Sequence, residues 1–189
     1  MARPRILIEN QVFRTSKLIP SPQPDLPDVS TIVYTDLDPD LDVYTAPFSY
    51  DLDLDNNAVI DFEIQGFEIT STALLGMKNQ GMPGSVAVNI GGGNRIQKFD
   101  SGQDIGSSFT NWKGTGNPVA GLSTAFGFVT GDFIGDTAFI GVKFPIDGNT
   151  HYGWVHVTIS NPMIGGSATV LGYAYNAKAE EKILAGQTE

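Results

Sequence analysis

Apolar and β-branched residues recur in short runs along most of this chain: STIVYT, AVIDFEIQ, FEITSTALL, SVAVNI, RIQKF, TAFIGVKFPI, YGWVHVTIS and SATVLGYAY. Between them stand NIGGGN, DSGQDIG, PIDGNT and NPMIGG, where Gly supplies positive φ and Asn or Asp tolerates it. Strand-length runs broken by such turns predict an all-β fold, an antiparallel β-sandwich or jelly roll. FPIDGNTHYGW predicts a hairpin with Asp147-Gly148 at its tip. In the strand that follows, Val155, Val157 and Ile159 share one face, while Trp154, His156, Thr158 and Ser160 share the other. That alternation predicts a sheet with one face buried. The only stretch of helical character is AKAEEKILAG near the C-terminus. No tandem repeat indicates a solenoid.

Residues 1–30 read differently. RILIE can add one strand, but IPSPQPDLPDVS carries four prolines, which cannot donate regular ladder hydrogen bonds. The expectation is a proline-rich, extended N-terminal arm over 1–30 and one β-sandwich domain over 31–189. A chain of 189 residues is long enough for one substantial core.

Charge narrows the choice of partners. The formal net charge is −10, which argues against nucleic acid and anionic membrane surfaces, since both recruit basic patches. Between Lys17 and Lys78 there is no Lys or Arg, yet 12 of the 21 acidic residues fall there. With no cysteine, disulfides and thiolate metal sites are excluded. No apolar run reaches the roughly 18 residues of a membrane span. MARPRILIENQ lacks the apolar segment of a secretory leader, so these features leave the compartment open.

The acidic bias is densest in YDLDLDNNAVIDFEI, which contains Asp53-Leu-Asp55-Asn-Asn57-Ala-Val-Ile-Asp61. Ca²⁺ takes six to eight oxygen ligands at about 2.3–2.6 Å. Side chains at the first, third and fifth positions of a tight loop, here Asp53, Asp55 and Asn57, can converge on one point. Val59 can add its backbone carbonyl, and Asp61 can close the cage. The loop is not an EF-hand, because its twelfth position is Ile64 where a bidentate Glu is required. Its sixth position, Ala58, stands where short calcium loops use Gly, and an Ala at positive φ costs about 1 kcal/mol. The competing reading is an edge strand whose acids splay into solvent and discourage aggregation. For the upstream run Asp36, Asp38, Asp40 and Asp42, interrupted by Pro39, the solvated reading is the expectation.

Catalytic chemistry has little support. His151 and His156, the two histidines, fall on opposite faces of one strand. There is no Gly-x-Ser-x-Gly elbow. Asp61 and Glu63 can form one wall of a glycosidase cleft, but nothing identifies the second acid. Trp112, Tyr152, Trp154, Tyr173 and Tyr175 offer either a sugar-stacking platform or ordinary core packing.

Taken together, Tyr152-Gly153-Trp154, Gly172-Tyr173-Ala174-Tyr175 and the tail Ile183 to Gly186 resemble the end of a class of bacterial secreted or surface proteins. These are β-rich extracellular domains of the kind often followed by a PEP-CTERM-type or other C-terminal sorting signal. DLDLDNNAVIDFEI resembles an acidic element near the start of such domains, and FDSGQDIGSSFTNW resembles their middle, so the likeness spans roughly residues 45–187. It implies an extracellular or cell-surface location, with no activity assigned. The combined expectation is a structural or adhesive β-sandwich with a calcium-stabilised loop and no enzymatic activity. Its partners would be further copies of itself, as an oligomer or fibre, or surface glycans, with no nucleic acid and no membrane insertion. A carbohydrate-binding module is the alternative, and a hydrolase the more distant one.

Overall fold

The computed structural model describes residues 31–43, 48–68, 73–79, 83–89, 95–115, 119–123, 129–130, 132–159 and 168–189. The proline-rich arm expected over 1–30 lies outside the described residues, as do the glycines of NIGGGN and NPMIGG. In chain order the strands are β1 (Ile32–Asp42), β2 (Phe48–Leu52), β3 (Phe62–Glu68), β4 (Ala73–Lys78), β5 (Ser85–Ala87), β6 (Lys98–Phe99) and β7 (Asp104–Ile105). They continue with β8 (Trp112–Lys113), β9 (Val119–Ser123), β10 (Val129–Thr130), β11 (Asp136–Ile146), β12 (Asn149–Ile159), β13 (Ala168–Asn176) and β14 (Ile183–Leu184). No helix occurs among the described residues, hence none long and apolar enough to cross a membrane.

Two antiparallel sheets form the sandwich. One is seven-stranded, in the order β1-β13-β12-β11-β5-β8 with β6 also paired to β11. The other is five-stranded, in the order β10-β9-β4-β3-β2. Their facing sides share one core: Leu52, Leu54, Phe62, Ile64 and Met77 come from the second sheet and its β2–β3 loop. Val142, Phe144, Val155, Val157, Val170, Tyr173 and Tyr175 come from the first. Removing these apolar side chains from water, at about 25 cal/mol per Å², is the main force holding the sheets together.

The β11–β12 hairpin follows the sequence expectation. Asp136 pairs with Ile159 and Ile146 with Asn149, leaving Asp147 and Gly148 as the two-residue turn. Their φ angles of 50° and 81° are the pair of positive values that a type I′ turn requires.

The side of β12 predicted to face solvent does not. Trp154 is 2% exposed and Tyr152 5%. They pack with Phe99, Ile105, Phe139, Ala174, Ile183 and Ala185 in a second apolar cluster on the outer side of the large sheet. This cover comes from the turn-rich segment around β6–β8 and from the C-terminus. The expected helix over AKAEEKILAG gives way to it. Glu180 has φ 61°, which breaks a helix, and Ile183 pairs with Ile105 in the small β14–β7 sheet. A fully buried Ile183 stabilises more on this face than a short exposed helix would by itself.

The motifs behind the family resemblance are packing elements. A Cβ on Gly153 would stand 2.6 Å from the Ala174 carbonyl oxygen, so β12 and β13 can approach there only without a side chain. Tyr173 and Tyr175 fill the inter-sheet core, while Ala174 lies beneath Trp154 on the other face.

Candidate metal centre

The loop joining β2 to β3 runs from Asp53 to Asp61 and closes one end of the sandwich. Leu52 pairs with Phe62, and the Asp61 N–H donates to the Leu52 carbonyl at 3.0 Å. Leu54 is fully buried and pins the loop to the inter-sheet core. Its N–H donates to Oδ2 of Asp61 at 2.9 Å. Asp61 is itself only 1% exposed, so a carboxylate is held at the edge of an apolar core.

Side chains shape the rest of the loop. Asp53 accepts the Asn57 N–H through Oδ1 at 3.2 Å and the Ala58 N–H through Oδ2 at 2.8 Å. Asp55 accepts the Asn57 N–H through Oδ1 at 3.2 Å and the Asn57 Nδ2 through Oδ2 at 3.0 Å. Oδ1 of Asn57 accepts the Val59 N–H at 2.7 Å. Asn56 and Ala58 adopt φ of 57° and 68°, so the chain coils through the left-handed region twice. The positive φ expected at Ala58 is therefore present.

These turns bring Asp53, Asp55 and Asp61 together, with one carboxylate oxygen from each within 4.8 Å of the others. Oxygens on opposite sides of a Ca²⁺ ion with bonds of about 2.3–2.6 Å stand about 4.6–5.2 Å apart. The spacing fits. Each carboxylate has about four lone-pair sites, so the N–H groups it accepts leave capacity for an ion. Among the described residues this is the one group of three or more acids or histidines close enough to share a metal. Asn57 belongs to the loop, but its Oδ1 is engaged by Val59. The side chain of Val59 is 53% exposed.

Electrostatics set the cost of this arrangement. Burial pushes the Asp61 carboxyl up to about 6, the charges of Asp55 and Asp53 add to the rise, and the Leu54 N–H opposes it. Asp55 is also raised, chiefly by burial. The phenols of Tyr173 and Tyr175, on the facing sheet, are raised by burial and then by charges that include Asp53 for the first and Asp55 and Asp61 for the second. The acids therefore act across the gap between sheets. A bound dication would cancel most of that repulsion.

The remaining candidate residues lie elsewhere. Asp36, Asp38, Asp40 and Asp42 are exposed along β1, as the solvated reading anticipates. His151 accepts or donates through Nδ1 to the Asn176 carbonyl at 2.8 Å, while His156 stacks on Phe139 on the other side of the sheet. Glu63 points away from the core into a set of donors: Ser49 at 2.5 Å, Lys78 at 2.7 Å and Gln65 at 2.8 Å. Of the five aromatics, Tyr152, Trp154, Tyr173 and Tyr175 are buried and divided between two faces. Trp112 alone is half-exposed, with Lys143 Nζ 5.3 Å from its ring centre.

Leu54 was the contributor hidden in the sequence. The alternation Asp51-Leu52-Asp53-Leu54-Asp55 carries its signal, because the two leucines mark which side of the loop faces the core. Comparison with protein-family models, curated proteins and solved structures finds no match to this chain.

Proposed function

We propose that this chain is a structural β-sandwich of a secreted or cell-surface protein, adhesive or assembly-forming, with its β2–β3 loop stiffened by Ca²⁺. The observation that carries this reading is the convergence of Asp53, Asp55 and Asp61 within 4.8 Å, with the third of them buried. Three carboxylates gathered at the end of a core repel one another: at about 4 Å a pair costs about 4 kcal/mol at an effective dielectric of 20. An ion reverses the sign of that contribution, and binding becomes folding free energy. Asn57 and the Val59 carbonyl would complete the coordination, with water filling the remaining positions. Millimolar calcium outside the cell suits a site of this modest ligand count. The resemblance of the Tyr152-Gly153-Trp154 and Gly172–Tyr175 segments to secreted β-rich domains supports the same location. On this reading the chain has no catalytic role.

Thermal unfolding in excess EDTA and in millimolar Ca²⁺ tests this. Free calcium at ten times its dissociation constant adds about 1.4 kcal/mol, a shift of a few degrees. The native chain should show that shift, and Asp53→Asn/Asp61→Asn should abolish it. Equal midpoints in both conditions for the native chain would make the acids a solvated loop.

A further inference from the structure

Tyr34 on β1 is 43% exposed, yet its ring is held on three sides. Trp154 lies against it, with 5.8 Å between ring centres. Its hydroxyl donates to Oδ1 of Asp36 at 2.9 Å. Its edge rests over Gly172, where an added Cβ would stand 3.4 Å from the ring. In the ladder Asp36 pairs with Gly172 and Gly172 with His156, so Asp36 and His156 flank a position that carries no side chain. His156 is half-buried and stacks on Phe139.

The break in register between Asp36 and Leu41 sets residues 37–40 outside the ladder. They bring Asp40 close enough for its charge to act on both the Tyr34 phenol and the His156 imidazole. Burial pulls the imidazole below the usual histidine range, with Asp40 opposing, so the ring is neutral at pH 7 and offers one donor and one acceptor. β1, β12 and β13 contain no Lys or Arg, so these three strands bring no charge that would hold an anion. The Nε1–H of Trp154, a side chain only 2% exposed, has no acceptor. A buried N–H left unpaired is uncommon. An acceptor oxygen would relieve it, and a cation brings none.

We propose that Tyr34, Asp36, Asp40 and His156 form a binding site for a neutral pyranose sugar on the outer face of the large sheet. The C–H face of the sugar stacks on the Tyr34 ring, and its hydroxyls donate to the carboxylates of Asp36 and Asp40. The carboxylate lone pairs not used by Tyr34 leave capacity for this. His156 exchanges a further hydrogen bond at the rim. A hydroxyl accepts as well as donates, which suits it to the Trp154 N–H when the exposed Tyr34 ring tilts. The site differs from a platform of Trp112, Tyr152, Trp154, Tyr173 and Tyr175, of which only Trp112 reaches solvent. The proposal rests on the adhesive part of the function above and is independent of calcium.

Titration calorimetry on the full chain in EDTA, with cellohexaose and with β-1,4-galactohexaose, tests it. At least one of these neutral sugars binds, and molar salt leaves the affinity unchanged because the ligand carries no charge to screen. Tyr34→Ala abolishes the binding. Asp36→Asn/Asp40→Asn lowers the affinity about tenfold or more, the loss expected for a hydrogen bond to a charged acceptor, while its melting curve shows the fold intact. Trp112→Phe keeps the affinity and leaves Trp154 as the only tryptophan, whose emission then shifts on adding sugar. Failure of both sugars to bind the native chain would overturn the proposal. So would binding that survives Tyr34→Ala and disappears in Trp112→Phe, which would place the sugar on Trp112. Binding of hexalysine instead, weakened by salt, would make this face a cation patch. Because Asp53→Asn/Asp61→Asn leaves sugar binding unchanged, failure here is distinct from failure of the calcium reading.

Discussion

The backbone N–H of Leu54 donates to Oδ2 of Asp61 at 2.9 Å, and both residues are buried at the end of the inter-sheet core. One contact thus joins the loop's apolar anchor to its least solvated charge. Asp61→Ala and Asp61→Asn should separate the two roles. Alanine leaves the Leu54 N–H buried without an acceptor, at a cost of about 1–3 kcal/mol in urea unfolding with EDTA present. Asparagine can still accept that N–H and removes a repelled charge, so the metal-free stability should be equal to the native value or above it. Both should lose the calcium-dependent gain.

Leu54→Ala tests the anchor itself. The side chain is fully buried between the sheets, and truncating such a leucine costs about 2–5 kcal/mol. The loss should appear with and without calcium, and calcium affinity should fall because the loop is no longer held. An unchanged denaturation midpoint in EDTA would show that the loop is not part of the core.

Ala58 carries φ 68° while its N–H donates to Asp53. Ala58→Gly relieves a left-handed conformation that costs alanine about 1 kcal/mol, offset in part by the greater freedom of glycine when unfolded. The expected result is a small gain in metal-free stability and tighter calcium binding, read by titration calorimetry. Weaker binding would mean that the ion-bound loop does not keep this backbone.

Much of this was legible in the sequence because strand signals are local. The Asp147-Gly148 turn, the alternation around Val155 and the convergence of Asp53, Asp55 and Asp61 all follow from spacing within a dozen residues. The misses were long-range. Nothing near Trp154 shows that Phe99, Ile105 and Ile183 will cover it, since they lie 55 positions before, 49 before and 29 after it. The same contact turned AKAEEKILAG from a short helix into a strand bearing Ile183. The acids of β1 read as solvated positions of an edge strand, and they are exposed there. The partner strand was not legible, because Gly172 and Thr169, which pair with Asp36 and Asp42, lie 136 and 127 positions further along the chain.

Gly153 makes a prediction about the Tyr152-Gly153-Trp154 motif. A Cβ there meets the Ala174 carbonyl at 2.6 Å, Tyr175 at 3.2 Å and Val142 at 3.3 Å. Backbone cannot yield as a side-chain tip can, so Gly153→Ala should destabilise the domain by about 1–3 kcal/mol with no effect on calcium affinity. Chemical denaturation and calorimetry on the same variant check both halves.

Glu63 supplies the pH dependence. Lys78, Ser49 and Gln65 all donate to its carboxylate and hold it down at about 2, against 4.5 for the free side chain. The unfolded chain therefore binds a proton more readily than the folded one. The stabilisation is complete above about pH 4.5 and is lost as pH falls toward 2. Lys78 is 34% exposed, and solvent screening brings the contribution of the cluster to about 1–2 kcal/mol. Glu63→Gln should lower stability by that amount at pH 7 and by progressively less as pH drops through 4 and 3. Measuring native and variant side by side removes the contributions of Asp61 and the other acids, which both share. A difference constant across that window would mean that the carboxylate charge is not what the three donors recognise.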